Sequence, residues 1–186
     1  NERLQKSKIS SAYLILSGSN QNAKITPADP ENYYENFYDA GNLKHLTNVR
    51  AFKTLIYHNI YPCIDMVLRV KKSGMKYEFV VHTGGKVSDI QLKWIGLKKM
   101  ELVKDGGIHY IISEGEMNES PPVSFLENGQ RISSVFVLKK NGVGFKIKRF
   151  DTRRTLTIDP DINWASYFGG PGDEEGQGIV TDKSGN

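Results

Sequence analysis

Residues 65–82, DMVLRVKKSGMKYEFVVH, decide the fold. Two runs rich in β-branched and aromatic residues, DMVLRV and MKYEFVVH, flank the turn-forming KKSG, the pattern of an antiparallel hairpin. Met75, Tyr77, Phe79 and Val81 alternate with Lys76, Glu78 and His82. Side chains along a strand point to opposite faces in turn, so this spacing predicts one buried and one solvated face. Gly74 is placed to take the φ > 0 position of the turn.

The same pattern extends in both directions. SAYLILSG, NVRAFKTLIYHNIYP, DIQLKWIG, GIHYIIS, RISSVFVLKK, VGFKIKRF and RTLTID are further extended runs, each bounded by Gly, Asn, Asp or Pro. Ile90, Leu92 and Trp94 fall on one face of DIQLKWIG, and Asn141-Gly142 is a short-loop hairpin signal. Many short strands with frequent turn residues predict an all-β chain, an antiparallel β-sandwich or curled sheet with little helix. Asp29-Pro30-Glu31 is expected to open a short turn that packs Tyr33, Tyr34, Phe37 and Tyr38 over a sheet edge. EGEMNESPP reads as a polar surface excursion. A boundary is placed at Asp159-Pro160-Asp161, dividing a β domain (1–160) from a Gly-dense junction (161–186).

The totals fit this. At 186 residues the chain holds one ordinary domain, or one and a piece. A hydrophobic content of 38% with 25% charged residues is that of a globular protein. No apolar run approaches the roughly 18 residues that span a bilayer. NERLQKSKIS lacks the apolar core of a signal peptide and there is no initiator Met, so a mature or trimmed fragment is expected. Of the net charge of +4, Lys71-Lys72, Lys98-Lys99 and Lys139-Lys140 sit at strand ends, where lysine discourages edge pairing. Lys146, Lys148, Arg149, Arg153 and Arg154 read as a solvated face or an anion-binding patch. No aromatic platform or nucleic-acid motif accompanies them, which favours the first.

Candidate chemistry is weighed against ordinary uses. Asp173, Glu174, Glu175 and Asp182, with Ser184 and Asn186, are oxygen-rich enough to contribute to a calcium site, but the EF-hand spacing is absent and turn chemistry accounts for them. Asp159 and Asp161 around Pro160 read as a strand-to-loop corner rather than an acid/base pair. His45, His58, His82 and His109 show no close ligand spacing, and His82 and His109 are expected to face solvent. Cys63 is the one cysteine; it permits no internal disulfide and reads as a buried packing thiol. Trp94 reads as core, and Trp164 as a wedge at the junction, with a sugar-stacking face as the alternative for both. No catalytic, cofactor-binding or metal-binding residue is assigned.

TLTIDPDINWASYFGGPGDEEGQGIVTDKSGN resembles the "IDP…YSTYLGG…D…G…I..D..GN" junction that opens the SBBP-type β-propeller repeats of bacterial surface and secreted proteins. YHNIYPCIDMVLRVKKSGMKYEFVVHTGG is similar to the "Y.NIYPGIDLVYY…G.LEYDFVV.PG" core of the domain of unknown function that precedes those repeats. The strand Ile90 to Gly96, the segment with Pro121 and Pro122, and VGFKI follow in the same order, so the likeness runs from Ser10 to the C-terminus. Cys63 stands where that domain has Gly, and His82-Thr83 replaces its residue-Pro pair. The resemblance implies that GQGIVTDKSGN is the first strand of a first blade. It also implies a non-catalytic, extracytoplasmic bacterial module that caps the repeat array, its partner being the repeats that follow. Glycan or protein binding through the Tyr33–Tyr38 aromatics is the alternative, and a glycan-active enzyme a third reading. No cofactor, nucleic acid or membrane insertion is implied.

Overall fold

The structure, a computed structural model, describes residues 11–37, 46–71, 74–113, 115–139 and 142–165. In chain order its strands are β1 (Tyr13–Leu16), β2 (Lys24–Phe37), β3 (Leu46–Tyr61), β4 (Ile64–Lys71), β5 (Gly74–Val81), β6 (Leu92–Ile95), β7 (Lys99–Leu102) and β8 (Ile108–Ile112). There follow β9 (Gly115–Glu119), β10 (Val123–Leu126), β11 (Arg131–Ile132), β12 (Ser134–Lys139), β13 (Gly142–Ile147), β14 (Leu156–Asp159) and β15 (Ile162–Ala165). Among the described residues the only helical element is a 3-10 turn at Val87–Asp89. The chain is all-β, as the alternating patterns predict.

A seven-stranded sheet has the order β11-β10-β14-β5-β4-β3-β2, and two four-stranded sheets have the orders β1-β6-β13-β12 and β15-β9-β8-β7. None of the three closes into a barrel, and every pairing is antiparallel. The β4–β5 hairpin is central to the large sheet. Its ladder runs from Lys71↔Gly74 to Ile64↔Val81, so Tyr77, Phe79 and Val81 share the buried face. Met75, on the same face but at the hairpin tip, is half-exposed. Turn residues 72 and 73 lie outside the described residues, and with them the role read for Gly74.

The core lies between this inner face and the two smaller sheets. Ile64, Phe79, Leu156 and Ile158 come from the large sheet; Leu92, Phe136, Val143 and Phe145 from the second; Ile108, Tyr110 and Met117 from the third. Phe79 meets Phe145 edge-on at a centroid distance of 6.0 Å, the geometry the ring quadrupoles prefer. The result is an open sandwich in which one large sheet is faced by two small ones.

Three local expectations are corrected. The segment from Asp29 to Phe37 is no compact turn: it belongs to β2, the edge strand of the large sheet, and Tyr33, Tyr34 and Phe37 are exposed. Pairing with β3 holds it extended, and a positive φ at Asp29 (53°) takes up the irregular register there. RISSVFVLKK is two strands, because the chain leaves the large sheet after β11 and enters the second sheet at β12. The short-loop hairpin read at Asn141-Gly142 forms between β12 and β13, and Gly142 opens β13 opposite Lys139. A side chain there would meet the Leu92 carbonyl oxygen at 2.1 Å, so glycine serves close approach of β13 to β6. The third correction is EGEMNESPP, which contributes β9 and, among the described residues, the buried Glu119.

Candidate functional site

β9 alternates in burial: Met117 and Glu119 are buried, while Glu116 and Asn118 are exposed. Pairing with β8 on one side and β15 on the other fixes it in mid-sheet, so the inward-facing Glu119 enters the interior. Only 2% of Glu119 is exposed. Its Oε1 accepts a hydrogen bond from the Tyr77 hydroxyl of the large sheet, and its Oε2 one from the Tyr110 hydroxyl of its own sheet. Trp94, from the second sheet, packs on Tyr110 with ring centroids 5.0 Å apart. Residues from all three sheets thus converge on the same small volume.

Burial disfavours the carboxylate and raises the Glu119 pKa above its ordinary value, although the two hydroxyl donors lower it in part. Both tyrosines are raised as well, by burial first and then by the adjacent Glu119 charge. The Trp94 N–H is buried without a properly directed hydrogen bond; it lies on the Tyr110 side, where it offsets part of that rise. With both oxygens taken by hydroxyls and solvent excluded, Glu119 has no open position for a substrate. Chemically it is a polar tie between sheets. Sequence reading missed it, but a signal existed: Met117 and Glu119 share one phase, and Pro121-Pro122 ends the run as a strand end would.

The outer face of the large sheet carries a second polar group. Asp65 Oδ1 accepts the Asn59 N–H at 2.7 Å, and Oδ2 lies 3.0 Å from His82 Nε2 and 3.6 Å from His58 Nδ1. Burial pushes the Asp65 pKa up, but these partners together hold it below the usual carboxylate value. His58 Nε2 in turn meets Thr26 Oγ1 at 2.9 Å. Beside this set, Lys76 Nζ bonds Asp159 Oδ2 at 2.5 Å and approaches Glu78, which contacts Arg69. Arg69 reaches Asp29, whose Oδ2 accepts the buried Thr54 hydroxyl at 2.5 Å. Burial lowers the Lys76 pKa, and the bond and charge of Asp159, with Lys71 and Glu78, together more than restore it. The belt crosses from β14 to β2 and pins neighbouring strands by charge.

The residues weighed from sequence fall as follows. Asp159 belongs to that belt, whereas Asp161 is exposed and offers its carbonyl to the Ser120 N–H at 2.9 Å. His82 and His58 meet at Asp65; His109 is on the third sheet, between Glu101 and Glu116. Cys63 is exposed, not buried, and is held in the left-handed region at φ 57°. It occupies a tight turn between β3 and β4, which leaves its side chain no core to enter. Trp94 packs with the core, half-buried. The β15 backbone pairs Trp164 with Met117. Lys146, Lys148, Arg149, Arg153 and Arg154 are all exposed, and Arg153 and Arg154 are paired with Asp151 and Glu127. Tyr38, His45, Asp173, Glu174, Glu175 and Asp182 lie outside the described residues, as does the strand read in GQGIVTDKSGN. Among the described residues no group of three or more His, Cys, Asp or Glu is arranged to hold a metal.

An apolar groove of about 260 Å³ is lined from all three sheets, its walls including Leu14, Met66, Leu68, Tyr77, Trp94 and Ile162. Ile162, the first residue of β15, thus lies against the point where the three sheets converge. No curated protein and no solved structure matches the chain. Its residues 1–161 match the model of a family described as a domain of unknown function, DUF7948, and the chain belongs to that family.

Proposed function

We propose that this domain is a non-catalytic module that precedes and caps an SBBP-type β-propeller repeat array in a bacterial secreted or surface protein. The observation that carries the reading is the pairing of β15. Ile162–Ala165 begins one residue past the family match, inside the stretch that resembles the opening of the repeats. It adds to the third sheet along β9, with Ile162↔Glu119 through Ala165↔Glu116 in register. Through Ala165 the chain is therefore part of a sheet edge. A blade cannot bury its own faces and needs a neighbour at each end of the array. A module joined by a strand shields the first edge and the apolar surface beside it. Under this reading its partner is the following repeats, and its work is packing.

The test uses a longer polypeptide that carries both this domain and its repeats. Deleting residues 1–161 is expected to leave repeats that aggregate or are cleaved by protease at the first blade. Repeats that remain monomeric and equally protease-resistant without the domain would refute the capping role.

A further inference from the structure

The inner face of the large sheet is only partly covered. Ladder pairs Leu55↔Leu68, Leu68↔Tyr77 and Val70↔Met75 put these side chains on one face, the face that carries Phe79. At Phe79 it is fully buried, whereas at the β4–β5 tip Val70 is 60% and Met75 48% exposed. The groove of about 260 Å³ lies on this face, lined by Met66, Leu68, Met75 and Tyr77 from the large sheet and by Leu14, Trp94 and Ile162 from the other two. We propose that the polypeptide just past β15, residues 166–170 (SYFGG), closes this groove, with the Phe168 ring seated in it.

Three observations choose this segment. The first is the course of the chain. β14 runs antiparallel to β5, from Leu156↔Val81 to Ile158↔Phe79, and Asp159 then meets Lys76 Nζ at 2.5 Å. The chain thus advances toward the exposed hairpin tip, and β15 opens with Ile162 already in the groove wall. The second is reach and phase. Phe168 follows Ala165 by three residues, roughly 10 Å of extended chain, and in an extended chain it repeats the phase of Ile162. The third is fit. Lys76 is the one charged residue of the lining, and its Nζ is engaged by Asp159. A dry apolar cavity of about 150 Å³ takes a benzene ring, so a groove of about 260 Å³ has room for a phenylalanine side chain.

Rival occupants fit less well. The N-terminal end of the chain also meets the groove, at Ala12. However, residues 1–10, NERLQKSKIS, carry Arg3, Lys6 and Lys8 toward a site that already holds Lys76, and they offer no aromatic ring. A second copy would have to compete with a segment tethered at the groove wall, whose effective concentration is of millimolar order. The seating needs no repeat downstream and is independent of the capping role.

Methyl-labelled methionine reports on the groove directly, because Met66 and Met75 line it whereas Met100 and Met117 do not. In the 186-residue chain, F168A is expected to shift the Met66 and Met75 methyl resonances beyond their linewidths through loss of the ring current. Met100 and Met117 should stay in place. Wild-type positions should be the same at about 20 and 400 µM, as an intramolecular contact requires. If F168A does not fold, a chain ended after Ala165, which keeps β15, takes its place with the same expectation. Met66 and Met75 signals that do not respond to the change in a folded chain overturn the proposal. So do shifts spread equally over all four methionines, and wild-type signals that move with concentration, which would assign the groove to a second copy.

Discussion

Glu119 is the residue on which most of the interior polarity turns. Because burial raises its pKa, the folded state keeps its proton to a higher pH than the unfolded chain, which ionises near the ordinary value of 4.5. Between these two pKa values the folded state binds more protons, so stability falls as pH rises, by about 1.4 kcal/mol for each unit of that window. Asp65 and Glu101, both held low, act in the opposite sense, below their ordinary values. The difference between wild type and E119Q isolates the Glu119 part. Chemical denaturation from pH 4 to 8 should show wild type losing stability relative to E119Q as pH rises, then running parallel to it. E119A, which leaves the Tyr77 and Tyr110 hydroxyls without their acceptor, should cost about 3 kcal/mol near pH 4, and less as the pH rises and wild type loses the Glu119 contribution.

Elements were legible in proportion to how cleanly they alternate. MKYEFVVH declared its buried face because Tyr77, Phe79 and Val81 carry enough apolar surface to fix the phase. EGEMNES did not, since its inward positions hold one Met and one Glu, and a buried Glu is intelligible only with the distant tyrosines that satisfy it. The segment from Asp29 to Phe37 was misread because Asp29-Pro30-Glu31 is a turn signal locally, and pairing with β3 overrides it. The division of RISSVFVLKK is invisible locally, as either sheet accepts the same pattern. Gly142 shows the converse case, a glycine whose reason lies in another strand. G142A should destabilise the fold by about 3 kcal/mol, because the Leu92 carbonyl is fixed by its own ladder and has little room to move. Thermal unfolding with a matched loss of the β13–β6 amide protection would check this. An unchanged melting temperature would mean that β13 can shift outward freely.

At the scale of the molecule, sequence patterns conveyed the all-β class, while the meeting of three sheets at Glu119 depended on pairings between residues far apart in the chain. β15 completes that arrangement, so ending the chain at Asp161 should strip the β9 edge and remove the Ile162 side chain from the groove. A loss of about 2 kcal/mol, read as a fall of about 5 °C in Tm by calorimetry, is expected; an unchanged Tm would show that β15 contributes nothing to the domain. The order of strands in the large sheet has another consequence. β14 lies against β5, so Ile158 pairs with Phe79 although it is made much later. At translation speeds of about 5–20 residues per second, the β5 edge stays open on the ribosome for roughly 4–16 s. For that interval a nascent strand with a strongly apolar face lacks its native neighbour, a period of exposure set by chain order alone.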